Sequence, residues 1–316
     1  MKFSVMGCGR WGSFIAWYLH KIGHEVCVWG RQGSANLAAL QQGHMGDFDF
    51  PAEIRLTTDA AEAAAFADII AISISSQHLR EFMHGEAFSG GVKPVVLCMK
   101  GLEENTGKRL SEIASEVVGK ENTAVWLGPG HVQNFLAGIP NCMVIDSYNE
   151  ALKGCLIEAL KGSLIRFYYG TDMIGNEIGA AAKNVIGIAA GILDGFENAS
   201  LKGALMSRGA REISKLIENL GGNPMSAYGL AHLGDYEATV FSKYSRNRMY
   251  GEKFVRKEPM QGLAEGVSTS KALMLLAQQS QTELPICTAV YRMLYENLSP
   301  EEAMEQLFLR DLKNEF

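Results

Sequence analysis

The string Gly7-Cys8-Gly9-Arg10-Trp11-Gly12, directly after the apolar run Lys2–Met6, constrains this chain more than any other feature. Apolar residues from Trp11 to Ile22 then follow helical spacing, and Glu25–Trp29 reads as a second strand. In a strand–turn–helix of this kind the first glycine permits the tight turn. The second lets backbone approach a ligand, and the third lets the helix lie close to the strand. The helix start presents N–H groups and the positive end of its dipole. The reading is a pyrophosphate seat for a dinucleotide, with Gly7, Gly9, Arg10, Trp11 and Gly12 as its residues. The alternative is a chance glycine-rich turn, against which the strand–helix–strand order argues.

The same rhythm continues downstream. Further strands are predicted at Ile54–Thr57, Ile69–Ser73, Pro94–Met99, Thr123–Leu127, Asn141–Ile145 and Leu164–Tyr168. Helices are predicted at Asp59–Phe66, Ser76–His84, Thr106–Val118 and Tyr148–Lys161. Several strands are near-continuous Val, Ile and Leu, as in parallel sheets covered on both faces. This predicts an α/β, Rossmann-type doubly wound sheet over residues 1–170 as the dinucleotide-binding domain. From residue 171 to 316 every pattern is helical, at Glu177–Leu193, Leu201–Leu220, Ser268–Gln279, Cys287–Glu296 and from Ser299 onward. The second domain is therefore expected to be all-α and to carry the substrate and the catalytic groups.

The bulk numbers narrow the partners. A chain of 316 residues with 47% hydrophobic and 20% charged residues is ordinary globular material of about two domains. The net charge of -6 argues against nucleic acid and anionic membranes. No membrane span is expected, because the longest apolar run, Ile178–Leu193, is short and interrupted by Lys183 and Asn184. Met1–Met6 is too short for the apolar core of a signal peptide. The six cysteines are scattered, with no Cys-x-x-Cys and no His at metal-ligand spacing. They read as reduced thiols of a cytoplasmic protein without a metal site.

Four segments carry chemistry. Where an acidic residue after the second strand would favour NAD, the chain has Val28-Trp29-Gly30-Arg31. Arg31 suits a 2′-phosphate and favours NADP over NAD; stacking on adenine or a solvated side chain are the alternatives. Lys183 is the lone charge of the apolar helix Ile178–Leu193. A buried lysine needs a partner, and one beside a cofactor domain is placed to exchange a proton with a carbonyl or alcohol oxygen. The plainer reading is a structural lysine capped by carboxylates. Asp235 and Thr239 are spaced to share a helical face. Tyr244-Ser245-Arg246-Asn247-Arg248 reads as a polar loop whose donors suit a phosphate, or as a solvated basic loop. Lys100 follows an apolar strand, where ligands of open α/β sheets bind. His232 and His131 read as structural.

These pieces occur together in one family. The chain resembles the bacterial-type NAD(P)-dependent glycerol-3-phosphate dehydrogenases over nearly its full length. The resemblance rests on the glycine turn, Lys100-Gly-Leu-Glu103, Gly128-Pro129, Lys183 to Gly191, Ser207-Arg-Gly209 and Leu233-Gly-Asp235. Thr239, Ser245 to Arg248, Gly251 and Glu265-Gly266 complete it. It implies reversible reduction of dihydroxyacetone phosphate to sn-glycerol 3-phosphate for phospholipid synthesis, by a homodimer. It implies Lys183, Lys100 and Asp235 as catalytic residues. Gly128, Gly130, Ser245, Arg246 and Asn247 join those three around the small phosphorylated substrate. Trp11, Arg31, Lys100, Val132, Arg246 and Glu265 would touch the cofactor. One segment departs from the pattern. After Gly128-Pro129 the family has Ser or Thr, Phe, Ala, any residue, Glu, where this chain has Gly130-His131-Val132-Gln133-Asn134. Gly130 retains a backbone N–H for a phosphate. Gln41–Pro51 also lacks the family's Tyr-Leu-Pro signature. The competing readings are a related two-domain dehydrogenase for ketopantoate, a hydroxy acid or an opine, and a non-catalytic nicotinamide sensor.

Overall fold

Runs such as Ile69-Ile70-Ala71-Ile72 have no polar face, so a strand built from them is stable only when covered on both sides. The computed structural model, which describes residues 1–316 except Asp47, Gln261, Leu263, Lys313 and Phe316, shows that arrangement. The chain divides into one unit of Met1–Lys100 with Lys108–Glu177 and a second of Gly101–Gly107 with Ile178–Phe316.

In chain order the first unit holds β1 (Lys2–Met6), α1 (Arg10–Lys21), β2 (Glu25–Trp29) and α2 (Ala35–Gln41). Next come the short β3 (His44–Met45) and β4 (Phe48–Asp49), then β5 (Arg55–Thr57), α3 (Ala60–Phe66), β6 (Ile69–Ile72) and α4 (Leu79–Met83). They are followed by β7 (Val95–Leu97), α5 (Leu110–Val118), β8 (Thr123–Leu127) and α6 (Val132–Leu136). The unit closes with β9 (Asn141–Ser147), α7 (Glu150–Leu160) and β10 (Ile165–Tyr169). Eight strands form one sheet in the order β10-β9-β8-β7-β6-β1-β2-β5. The chain moves outward from β1 to β5, then resumes on the other side of β1 at β6. That reversal is the topological switch point, where ligands of open α/β sheets bind at the carboxyl ends of strands.

The sheet is parallel except where β9 runs antiparallel to β8. The reason is the connection. A parallel crossover needs a dozen or more residues and usually a full helix, whereas the link from Leu127 to Asn141 contains only the one-turn α6. It returns at the same sheet edge, and β9 must reverse. The regular crossover through α7 then makes β10 parallel to β9. The Gln41–Pro51 region contributes the antiparallel β3–β4 pair. The core lies under α1, whose Phe14, Ile15, Tyr18 and Leu19 are fully buried on the sheet. The Tyr18 hydroxyl donates to the Leu160 carbonyl at 2.6 Å.

The helices of the second unit are α8 (Met173–Gly195), which begins in the first, α9 (Lys202–Asn219), α10 (Arg246–Arg256), α11 (Glu265–Gln279), α12 (Pro285–Tyr295) and α13 (Pro300–Phe308). By length and composition α8 could cross a membrane, yet 78% of its most apolar stretch is buried by the chain, as in a core helix. Its glycines serve close packing. A Cβ on Gly191 would collide with the Arg248 carbonyl of α10, and one on Gly251 of α10 with the Ile188 carbonyl. The two backbones thus approach more closely than larger residues allow. Residues Gly101–Gly107, expected partly as helix, join this unit instead. Gly107 has a φ of +72° and faces Leu276 of α11. Lys271 of α11 pairs with Glu104 at 3.1 Å.

Glu212 of α9 anchors α12. Its carboxyl oxygens accept from the Ile286 and Cys287 N–H groups at 2.9 and 3.0 Å. Burial pushes its pKa up from 4.5 to about 7. The folded protein therefore binds a proton that the unfolded chain releases between these values, so this contribution to stability is present at pH 4 and is lost as pH rises through 7. Its size is on the order of 3 kcal/mol. Thermal melting of wild type and Glu212→Gln from pH 4 to 8 is expected to diverge with pH, the glutamine variant gaining relative to wild type. Parallel curves would show that the Glu212 pKa does not differ between the folded and unfolded chain.

Candidate active site

The glycine turn lies at the switch point, against the end of β6. Gly7 has a φ of +120°, and a Cβ there would collide with the Ser73 carbonyl. A Cβ on Gly12 would collide with the carbonyl of Gly7. These two glycines are required by the chain's own packing. Gly9 is different. Its φ of -72° and ψ of 174° suit any residue, and a Cβ would meet no protein atom within 4 Å. As the residue before α1 it also provides no side-chain cap for the first-turn N–H groups. Gly9 is thus a glycine that the chain's own packing does not need, in front of donors without a side-chain cap.

The neighbouring side chains divide by role. Arg10 is exposed at the start of α1, and the Gln133 amide, oriented to satisfy both groups, accepts from its guanidinium. Trp11 packs on Phe14 and Phe135, with ring centroids 5.2 and 6.4 Å away. Arg31 is exposed just beyond the carboxyl end of β2. Lys100, after β7, donates from Nζ to the Gly128 carbonyl after β8 at 2.7 Å, bringing together two residues far apart in sequence. Gly130 has a φ of +157°, and a Cβ there would run into the Phe135 ring. A side chain at 130 is thus disfavoured by both the backbone conformation and the Phe135 ring. Val132, at the start of α6, is buried in the core.

The second unit builds its cluster around Lys183 of α8, which is only 8% exposed. Its Nζ is 2.8 Å from Asp235 Oδ2 and donates to Thr239 Oγ1 at 2.7 Å. The Thr239 hydroxyl in turn donates to the Asp235 carbonyl at 2.8 Å. Asp235 ends a 3-10 turn, Leu233–Asp235, and Thr239 lies in a π-helical turn, Glu237–Phe241. The expected shared face is real, but it belongs to these tight and wide turns. Thr239 was visible by its spacing from Asp235 and among the residues of the resemblance, but not as a partner of Lys183.

The Ser245–Arg248 segment is not a loop. Ser245 caps α10, its Oγ accepting from the Arg248 N–H at 3.3 Å, and Arg246 to Arg248 form the first helical turn. A run of Ser, Asn and charged residues reads as a loop in isolation; packing on α8 overrides that preference. The helix assigns each side chain separately. Asn247 donates to Asn184 Oδ1 at 3.0 Å and accepts from the Gly266 N–H at 2.9 Å. Arg248 pairs with Asp194 at 2.5 Å. Arg246 is exposed at the first position of α10. Glu265 is half-buried at the first position of α11. Among the described residues, no group of three or more His, Cys, Asp and Glu side chains is arranged to hold a metal.

A switch-point glycine turn on a Rossmann-type sheet, and a helical unit around a buried lysine–carboxylate pair, are the parts of a nicotinamide-dependent dehydrogenase. The profile of the NAD-dependent glycerol-3-phosphate dehydrogenase N-terminus matches residues 2–153, and that of the C-terminus matches residues 172–305. A glycerol-3-phosphate dehydrogenase [NAD(P)+] of Pelodictyon phaeoclathratiforme is 36% identical, covering 100% of this chain and 99% of its own. A second, from a Thermoanaerobacter species, is 34% identical with the same coverage. The crystal structure of the Coxiella burnetii glycerol-3-phosphate dehydrogenase superposes with a TM-score of 0.87 at 27% identity, covering 98% of this chain and 99% of its own. The chain belongs to the NAD-dependent glycerol-3-phosphate dehydrogenase family.

The three glycines of the turn separate folding from ligand demands. Gly7→Ala and Gly12→Ala are expected to lose about 1–3 kcal/mol of stability through overpacking. Gly9→Ala is expected to melt at or slightly above the wild-type temperature. A Gly9→Ala protein destabilised as much as Gly7→Ala would mean that the chain itself needs the glycine.

Proposed function

We propose that this chain reduces dihydroxyacetone phosphate reversibly to sn-glycerol 3-phosphate with NAD(P)H. The observation that carries the reading is the buried Lys183 ammonium held by Asp235 and Thr239, in a chain of this family. A bound reduced nicotinamide supplies the hydride that reaches the carbonyl carbon. Lys183 Nζ supplies the proton that the carbonyl oxygen gains, and in the reverse direction it takes that proton back. Its charge also polarises the carbonyl beforehand. Asp235 keeps the nitrogen charged, and Thr239 fixes its direction.

The remaining roles belong to the same proposal. Gly7, Gly9, Arg10, Trp11 and Gly12 hold the pyrophosphate, with Val132 and Glu265 among the cofactor contacts. Arg31 favours the 2′-phosphate of NADP, supported by its exposure at the end of β2. Lys100, Gly128, Gly130, Ser245, Arg246 and Asn247 serve the substrate. Of the Ser245–Arg248 set, Arg246 is the residue for the phosphate, because Asn247 and Arg248 are engaged by Asn184 and Asp194. The working form is a cytoplasmic homodimer that supplies glycerol phosphate for phospholipids. The six free cysteines, four of them buried, suit a reducing compartment.

The test is oxidation of NADH and of NADPH with dihydroxyacetone phosphate, ketopantoate and 2-oxo acids. Turnover is expected with dihydroxyacetone phosphate alone, and Lys183→Ala is expected to lower kcat about 100-fold or more. No oxidation with dihydroxyacetone phosphate would falsify the reading. Loss of the NADPH advantage, and not of NADH activity, in Arg31→Ala checks the cofactor preference.

Arg246→Ala is expected to raise the KM for the phosphorylated substrate by about 10-fold or more, as for a charge-assisted contact. An unchanged KM would remove the phosphate from Arg246.

A further inference from the structure

Lys183 and Asp235 lie on separate segments, so their contact depends on what fastens the Leu233–Asp235 turn to α8. His232 directly precedes that turn and is completely buried. Its Nδ1 lies 2.8 Å from the Gly179 carbonyl, and its Nε2 lies 2.7 Å from the Tyr236 hydroxyl. The helical pattern pairs that same Gly179 carbonyl with the N–H of Lys183, four residues on. The imidazole therefore bonds to the very turn of α8 that carries Lys183. Gly179 makes the approach possible, since a Cβ there would lie 2.8 Å from the His232 Cβ.

The hydrogen-bond pattern defines the tautomer. Burial, with a smaller push from Lys183, lowers the His232 pKa from 6.5 to about 4, so the ring is neutral near pH 7. A neutral ring has one donor and one acceptor nitrogen. A carbonyl only accepts, so Nδ1 carries the hydrogen and Nε2 accepts from Tyr236. Tyr236 can supply that hydrogen throughout the working range, because burial, together with the nearby Cys287 and Glu212, raises its pKa well above 10.0. Asp235 and Lys183 are the charged groups beside the ring.

We propose that His232, held in one tautomer by Tyr236, is a positioning residue that sets the Asp235 carboxylate against Lys183. The proposal rests on the reading of Lys183 as the proton donor, and it gives His232 no contact with reacting atoms. Its consequence is that the Lys183–Asp235 geometry depends on an uncharged imidazole whose Nε2 accepts from the Tyr236 hydroxyl.

The test uses His232→Leu, His232→Asn and Tyr236→Phe in the full chain. His232→Leu is expected to lower kcat about 10- to 100-fold, the scale of a small misplacement, with the KM for NADH unmoved. The basic limb of its kcat–pH profile is expected at lower pH, because a lysine without an aligned carboxylate holds its proton less tightly. Tyr236→Phe is expected to shift both in the same direction by less. His232→Asn is expected to recover most of kcat, because its amide N–H reproduces the Nδ1 donor. A second measurement needs no substrate: a stability cycle between His232→Leu and Asp235→Asn, in which the two losses are expected not to add. Additive losses, or a folded variant with wild-type kcat and pH profile, would overturn the proposal. If His232→Leu does not fold, Tyr236→Phe carries both measurements. Because the cycle stands without turnover, an inactive wild type on dihydroxyacetone phosphate would sink the substrate reading alone.

Discussion

The ion pair between Lys183 and Asp235 is the contact on which the second unit depends. An isolated ammonium or carboxylate in an apolar interior is unfavourable by several kcal/mol, and breaking one half of a buried pair leaves the other uncompensated. Once Lys183 is placed on an apolar helix, the surroundings have to supply its partners. The 3-10 turn delivers Asp235, the π-helical turn delivers Thr239, and each contact is shorter than 3 Å. The glycines of α8 serve the same end from another side. They let α10 lie against α8, which brings Asn247 to Asn184 beside the lysine. A helix of Leu and Ile alone would bury more area but keep those polar groups apart.

The first unit answers a different constraint. A cofactor pyrophosphate needs several N–H donors converging on one point, and a sheet offers them only where a strand ends and a helix begins. The order of strands puts that place between β1 and β6. Two glycines there are required by the chain's own packing and the third is not, a division that the string of three does not reveal by itself. Gly130 follows the same logic in reverse. A side chain there is excluded by Phe135, so the segment presents only backbone at this position.

Several elements were legible because their physics is local. Lys2–Met6, Glu25–Trp29 and Thr123–Leu127 are recognisable strands from apolar continuity, and the structure has them with those bounds. The cap at Ser299 with Pro300 behind it marked the start of the last helix. Others were not legible because distant residues decide them. The reversal of β9 follows from a connection whose only helix is the single turn α6. Gly101–Gly107 leaves its sequence neighbours to pack on Leu276 and Lys271. Arg246–Arg248 is helical because α8 accepts it, despite the Asn in the run. His232 was readable as structural, but its bond to Gly179, 53 residues away, was not.

The sequence by itself therefore determined the class of fold, the glycine turn between the first strand and helix, and the lone lysine of the central helix. Each follows from short-range order: apolar periodicity, glycines at three fixed positions, and one charge in an otherwise apolar helix. Only the tertiary structure decided which side chains meet. Asp235 and Thr239 meet Lys183, Lys100 meets Gly128, and Arg248 is taken by Asp194 while Arg246 is exposed. Those outcomes depend on how closely two backbones approach and on which buried donor finds which acceptor. Both are properties of packing between distant segments, and no local pattern records them.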